Sequence, residues 1–319
     1  MKILVSLSAV LVLCFFPAGG AFSNDLGLVD FYNLDGKFDV HFTVDATQLK
    51  QRRTEEAAPS TTKSLESTLS FVRRFSPEFL AGMNLSVRNQ DQESDDLVPG
   101  FDEPASLQRD KYEAEFFGFF RHNNIEISPS IRGGFDSYEL VRPDFLTGLT
   151  GVSTPNGYHG GVNLEVAMLL PLSQRLFLRP VADIDYSILA VESFTESGAG
   201  PNNIAFDSIF DVRTTAQAGL GMGTLIPTGE ESWIIPFVQA RYRRNFNSDP
   251  ITTHAALASG ILDLGEVVMQ ISEEPDGLIL NTGFFYRHSS KMEIRAAYEG
   301  SFFPSSSSHS LSGRLSVSF

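Results

Sequence analysis

Charged residues recur at every second position along many stretches of this chain, and that spacing limits the chemistry they can do. Arg179, Asp183 and Asp185 share one parity, as do Glu126 and Arg132, Arg241 and Arg243, and Glu293 and Arg295. In a β-strand, alternate side chains point to the same side. Sorting the chain this way gathers a basic set on one face: Arg74, Arg88, Arg121, Arg132, Arg175, Arg179, Arg213, Arg241, Arg243, Arg295 and Arg314. It gathers an acidic set on the same face: Asp39, Asp45, Glu66, Glu113, Glu115, Glu126, Glu165, Asp183, Asp185, Asp211, Glu293 and Glu299. Two kinds of chemistry are open to them. Acids and bases can pair across neighbouring strands and fill a narrow interior with ion pairs. Alternatively, opposed rows can line a water-filled constriction that selects solutes by charge and dipole.

Catalysis is the rival reading. Nucleophilic hydrolysis needs a serine beside a histidine, itself oriented by a third group. The histidines are His41, His122, His159, His254, His288 and His309. His288-Ser289 and His309-Ser310 are sequence neighbours, which a strand sends to opposite faces. None of the six lies in a motif of the lipase or lipid-A deacylase barrels, so no catalytic residue is assigned. Asp91, Glu93, Asp95 and Asp96 group as hard-cation ligands would, but lack the glycine and terminal glutamate of a calcium loop. The single cysteine, Cys14, lies in an N-terminal apolar run, so neither disulfides nor thiolate metal sites are expected. No cofactor and no metal follow from these residues. The net charge of −15 leaves no electrostatic footprint for nucleic acid.

The elements that must position these charges are amphipathic strands. Phe38, Val40, Phe42 and Val44 alternate with Lys37, Asp39, His41, Thr43 and Asp45. Leu176, Leu178, Ala182, Ile184, Tyr186 and Ile188 alternate with Arg175, Arg179, Asp183, Asp185 and Ser187. Period two of this kind predicts strands near 37–48, 65–75, 78–88, 111–122, 124–138, 157–170, 174–190, 207–226, 233–246, 278–287, 291–302 and 309–319. The 111–122 strand is the weakest, because Phe116-Phe117-Gly118-Phe119-Phe120 puts aromatics on both faces. Short turns (Ser76-Pro77, His122-Asn123, Pro171 to Ser173, Pro227 to Ser232, Ser289-Ser290) alternate with longer connections at 49–64, 89–110, 139–156, 191–206, 247–277 and 303–308. The stretch 247–277 is read as loop or an extramembrane hairpin, since another strand would break the parity.

Alternating loop lengths belong to a membrane barrel with short turns on one side and long loops on the other. Outward aromatics fall in two groups, Phe75, Phe79, Tyr286 and Phe319 near the short turns, and Phe135, Tyr158, Tyr186, Phe210, Tyr242 and Phe302 near the long loops. Two such girdles mark the two interfaces of a membrane. The expectation is an all-β fold, a closed antiparallel transmembrane β-barrel of about twelve strands, with ten to fourteen allowed. A secreted β-sandwich also alternates, but gives no reason for alternating loop lengths.

Lys2, the apolar run Ile3 to Phe16 and the small residues of Pro17 to Ala21 read as a secretory signal over 1–21. A short periplasmic segment over 22–36 then leads into a barrel over 37–319. An even strand count puts both termini in the periplasm of a Gram-negative bacterium, with the barrel integral to the outer membrane and monomeric.

The closing residues carry a resemblance. Leu311, Gly313, Leu315, Val317 and Phe319 alternate with Ser310, Ser312, Arg314, Ser316 and Ser318, and the sequence stops on phenylalanine. This resembles the final strand of bacterial outer-membrane β-barrels. That resemblance implies that Phe319, Val317 and Leu315 form an assembly signal, read by periplasmic chaperones and the barrel-assembly machinery. Further motifs are Ala218-Gly-Leu-Gly221, Ile235-Pro-Phe237, Gly277 to Arg287, Tyr298-Glu-Gly-Ser-Phe302 and His309. With Phe319, they make the C-terminal part similar to the β-domain of autotransporters, over roughly 100 residues. Lys37 follows too soon after the signal for a passenger domain, so the resemblance implies architecture and compartment rather than secretion of an attached domain.

The function expected is a small porin-like diffusion channel for polar solutes, its acidic outer loops 89–110 and 247–277 favouring cations or zwitterions. The alternatives are a surface barrel whose loops contact lipopolysaccharide or host, and a lipid-active enzyme. Outer-membrane lipid and lipopolysaccharide are the expected surroundings in each case.

Overall fold

The structure, a computed structural model, describes residues 38–52, 59–94, 105–144, 147–247, 251–270, 275–289 and 292–319. The expected signal peptide, the segment 22–36, Cys14, and Asp95 and Asp96 of the acidic group lie outside these. Each of the predicted alternating segments forms a strand. The twelve are β1 (Phe38–Gln51), β2 (Ser60–Ser76), β3 (Phe79–Ser94), β4 (Ser106–His122), β5 (Ile125–Asp144), β6 (Asn156–Met168), β7 (Leu176–Val191), β8 (Ile209–Thr224), β9 (Trp233–Asn245), β10 (Asp276–Ser289), β11 (Met292–Phe302) and β12 (Ser306–Ser318). Every consecutive pair is antiparallel, and β1 pairs with β12 through Val40↔Val317 and Phe42↔Leu315. That pairing closes the sheet and removes both edges, the requirement for a sheet that crosses a bilayer. At the seam, the Ser318 hydroxyl donates to Asp39, and both side chains are buried.

The apolar parity faces outward throughout. Phe42, Leu69, Leu85, Phe116, Ile131, Val162, Ile184, Leu220, Val238, Leu280, Ile294 and Leu315 are all exposed. For a soluble protein this would be an inside-out arrangement; for a barrel in a membrane it is the side that meets the lipid acyl chains. Aromatic residues bound the band at both ends. Phe75 stacks on Phe79 near the short turns, while Tyr112 stacks on Phe135 with ring centroids 4.7 Å apart near the long loops. Asn123 turns the β4–β5 hairpin with φ of 55°, a left-handed conformation that asparagine tolerates.

Strands near the long loops run further than the sequence predicts. β2, β3, β4 and β5 hold 17, 16, 17 and 20 residues, whereas crossing a bilayer takes about 9–11. The loops expected over 49–64 and 89–110 therefore narrow to 52–59 and 95–105. Beyond the aromatic girdle the outward positions Asn89, Asp91 and Glu93 are polar, so β3 continues without the alternation that marks its lower part.

The stretch 247–277 contains a hairpin, Ile251–Leu257 with Asp263–Gln270, outside the barrel wall. It joins Ile204–Phe206 and Phe194–Thr195 from the preceding long loop in a separate four-stranded sheet. Ile204, Phe206, Ile251 and Ala255 of this sheet pack with inward-facing Leu107, Tyr138, Leu140, Leu189, Val191 and Ile209 at the ends of β4, β5, β7 and β8. The sheet is thus a cap over that side of the long-loop mouth. Arg142 latches the cap through two hydrogen bonds to Glu196, at 2.8 and 2.6 Å.

Candidate functional site: the charge-lined lumen

The inward parity builds a polar lumen between apolar ends. Near the short turns, Val72, Leu80, Phe117 and Phe119 form one inward patch and Leu169, Phe177, Ile235, Phe237, Phe285 and Ala297 another. Phe117 and Phe119 explain why β4 read as aromatic on both faces. Between these patches and the cap lie the charges.

A lower tier is organised by Arg179, which is 2% exposed. Its Nε donates to Glu126 at 2.9 Å and its Nη2 to Glu165 at 2.7 Å. Arg241 continues the tier to Glu165 and Asp183 at 3.3 and 3.4 Å, and Arg121 reaches Glu126 at 3.6 Å. An upper tier runs from Asp185 through Arg132 at 2.7 Å to Glu113 at 3.9 Å. There Glu113 meets Lys111 at 2.8 Å and His159 at 3.2 Å. The other His159 nitrogen lies 2.8 Å from Asp136, which Arg109 also holds at 2.8 Å. Charges this far from bulk water need partners, and neighbouring strands supply them.

Several of these pairs skip a strand, and the skipped strand carries a small inward residue. Arg179 on β7 reaches past β6 to Glu126 on β5, whose partner on β6 is the small Ala167. Arg132 on β5 crosses β6 at Gly161, where an added Cβ would sit 3.1 Å from its Nη2. His159 on β6 crosses β5 at Gly134, where a Cβ would sit 2.7 Å from the imidazole. Arg241 on β9 crosses β8 at Gly219, where a Cβ would meet its Cγ at 2.8 Å. These notches escaped the sequence reading, which weighed charges alone. Their signal was present as glycine or alanine on the inward parity, including Gly219 of the Ala218-Gly-Leu-Gly221 motif.

The remaining sequence-predicted residues divide. Arg213 is buried and meets Asp211 at 2.5 Å. Arg243 faces inward and donates to Asn245 at 3.0 Å. Glu293 and Arg295 are buried, with the Arg295 guanidinium over the Phe285 and Phe237 rings at 5.0 and 5.5 Å. Arg175 does not line the lumen: it is exposed in the short turn before β7 begins at Leu176. The strand alternation was extended one residue into a turn, where period two no longer sets direction. Leu315, Val317 and Phe319 lie on the lipid-facing parity, with Phe319 74% exposed.

The histidines are dispersed. His41 and His159 face inward, His122 and His288 lie exposed near short turns, and His254 lies in the cap 2.9 Å from Asp263. His309 faces outward and meets the Tyr298 hydroxyl at 2.7 Å. Their polar contacts include Asp136 and Glu113 for His159, Asp263 for His254, Tyr286 for His288 and Tyr298 for His309.

A closed antiparallel barrel with an apolar exterior, two aromatic girdles and a charged interior defines an outer-membrane barrel protein. The autotransporter beta-domain family model matches residues 41–299, and the chain belongs to that family. It is similar to the translocator domain of autotransporter NalP from Neisseria meningitidis, with TM-score 0.71, 12% identity, and coverage of 89% of this chain and 88% of that one. It is also similar to the beta domain of the Bordetella autotransporter Brka, with TM-score 0.64, 14% identity, and coverage of 89% and 100%. The transport unit of the autotransporter AIDA-I from Escherichia coli gives TM-score 0.57, 11% identity, and coverage of 88% and 90%. No curated protein sequence matches it. Barrels of this family are integral to the outer membrane of Gram-negative bacteria and are generally transport domains.

Proposed function

We propose that this chain is a diffusion channel for small polar solutes, with both termini periplasmic and the capped long-loop end at the cell surface. One observation carries the reading: two tiers of charge run through the lumen from Arg121 to Arg109. Buried ion pairs are a poor way to hold a core together, because apolar replacements of similar volume are often as stable or more so. Charge retained along a lumen therefore favours passage of polar solutes over mere filling. The test is planar-bilayer recording of the refolded barrel. Discrete, salt-dependent conductance steps are expected, and silence at every salt concentration would overturn the proposal.

A second reading, a surface barrel that binds lipopolysaccharide through its loops, is favoured by the ordered cap sheet. It predicts that vesicles bearing lipopolysaccharide capture the barrel only while the cap is present.

We also propose that Leu315, Val317 and Phe319 are read by the barrel-assembly machinery and its chaperones. Phe319 contributes little packing, so Phe319→Ser should lower the amount of folded barrel in cellular outer membranes severalfold while leaving refolding in detergent unchanged. An equal loss in both assays would make the residue merely structural.

A further inference from the structure

At the long-loop end, the outer face of the wall carries charge above the aromatic girdle, and its sign changes around the circumference. Among the described strand residues of lipid-facing parity, the acids at that end are Asp91, Glu93, Asp110, Glu139 and Asp276, on β3, β4, β5 and β10. The bases are Lys50, Lys63 and Arg244. Arg244 is already answered, with Asp276 at 3.0 Å. Lys50 on β1 and Lys63 on β2 are exposed, and neither meets a carboxylate among the described residues.

Register surrounds the two lysines with donors. Lys50 lies between Ser307 of β12 and Thr61 of β2, and one side-chain step lower Gln48 lies between His309 and Lys63. The result is a patch of two rows across three strands, roughly 10 Å wide and 7 Å high at ordinary strand spacing. Every member can donate a hydrogen bond and none is a carboxylate. When the Tyr298 hydroxyl donates to His309 Nδ1, 2.7 Å away, the ring proton sits on Nε2 and that nitrogen donates. Asp91, in register with Lys63, and Glu93, in register with Thr61, close the patch on the β3 side. Phe302, in register with Ser307, closes it on β11. One step below the lower row stand Leu311, 64% exposed, Ala46 and Leu65, 51% exposed. Gly313 then leaves the wall indented between Leu311 and Leu315, since an added Cβ would meet nothing within 4 Å.

Two lysines and four neutral donors just above an apolar, indented wall match an amphiphile with phosphates at its head and acyl chains below. We propose that this strip of β12, β1 and β2 holds one molecule of the phosphorylated glycolipid of the outer leaflet, lipid A. Its phosphates meet Lys50 and Lys63, and its chains run down past Leu65 and Leu311. The proposal rests on the orientation reading, which puts the long-loop end at the cell surface, and not on conduction. Lysine binds phosphate as a point charge, and elsewhere on this rim the described strand charges are acidic or already paired. A lateral lipid contact of this kind is separate from capture through the cap, whose apolar contacts fall on β4, β5, β7 and β8.

Equilibrium binding of lipid A to the refolded barrel in detergent micelles tests the site. Lys50→Gln/Lys63→Gln should weaken binding about tenfold or more, the factor that one hydrogen bond to a charged group is worth. The parent barrel should bind lipid A stripped of both phosphates equally weakly, a comparison that involves no substitution. Phosphatidylglycerol should bind severalfold more weakly than lipid A, while Arg244→Gln and removal of Ile251–Gln270 should change nothing. Equal affinity of the parent and the folded double variant, no preference for the phosphorylated form or over phosphatidylglycerol, or loss on removing the hairpin would overturn the site. Orientation is read separately. Cys14 is the chain's only cysteine, so Glu139→Cys on a Cys14→Ser background presents a single thiol at an exposed rim position outside the patch. An impermeant maleimide should label it in intact cells. Labelling only after the outer membrane is permeabilised would overturn the orientation reading and this ligand with it, whereas labelling in intact cells with equal affinities would overturn the site alone.

Discussion

Arg179→Met should destabilise the refolded barrel by about 3–5 kcal/mol, the usual cost of removing one partner from a buried pair. Arg179 is the charge shared by Glu126 and Glu165, and methionine fills its volume while leaving two buried carboxylates short of a partner. The loss should fall nearer the lower figure, because Arg121 still faces Glu126 and Arg241 still faces Glu165. Denaturant unfolding in detergent measures it. Adding Glu126→Gln and Glu165→Gln to Arg179→Met should recover most of the loss, since neutral amides no longer need the arginine. A single variant within ~1 kcal/mol of the parent, in the range of an exposed pair, would mean that the lower tier does not hold these strands together.

Replacing Ile251–Gln270 with a short flexible linker should raise single-channel conductance severalfold. The hairpin contributes Ile251 and Ala255 to the apolar cluster that covers the mouth over β4, β5, β7 and β8. Without it, half of the cap sheet is gone and only Phe194–Thr195 and Ile204–Phe206 remain over that part of the lumen, while β9 and β10 keep their register through Tyr242↔Leu278. Unchanged conductance would show that the cap is not the limiting obstruction. The same variant tests the surface-binding reading, which expects it to lose capture by lipopolysaccharide vesicles whatever its conductance does.

The sequence made the membrane-embedded half of this fold legible because lipid on one side and polar lumen on the other impose a strict period of two. Phe38 to Val44 and Leu176 to Ile188 read correctly for that reason. Where the outward face leaves lipid for water while the inward face is itself polar, the constraint lapses. Asn89 to Glu93 continue as strand, yet nothing in their hydropathy alternates, and although 247–277 could be read as an extramembrane hairpin, its packing as a cap could not. Lumenal charges were legible by parity, as Arg132, Arg179 and Arg241 show, and failed at Arg175 where the strand had already become a turn. Their partners were not legible. Pairing depends on register and on which strand can be crossed, and hydropathy carries neither.

The glycine and alanine notches bear on a different problem, that of getting each strand into place. A slip of one residue turns lipid-facing side chains inward and is rejected by hydropathy at once. A slip of two residues keeps every face correct, so the apolar pattern cannot detect it. The notches can. Displaced by two, β6 would set Asn163 or His159 rather than Gly161 beneath the Arg132 guanidinium, and β8 would set Gln217 rather than Gly219 beneath Arg241 if it slipped one way. Arginine braces over bare backbone thus act like the finer scale of a vernier, registering the offset that the coarse alternation of greasy and polar residues leaves undetermined.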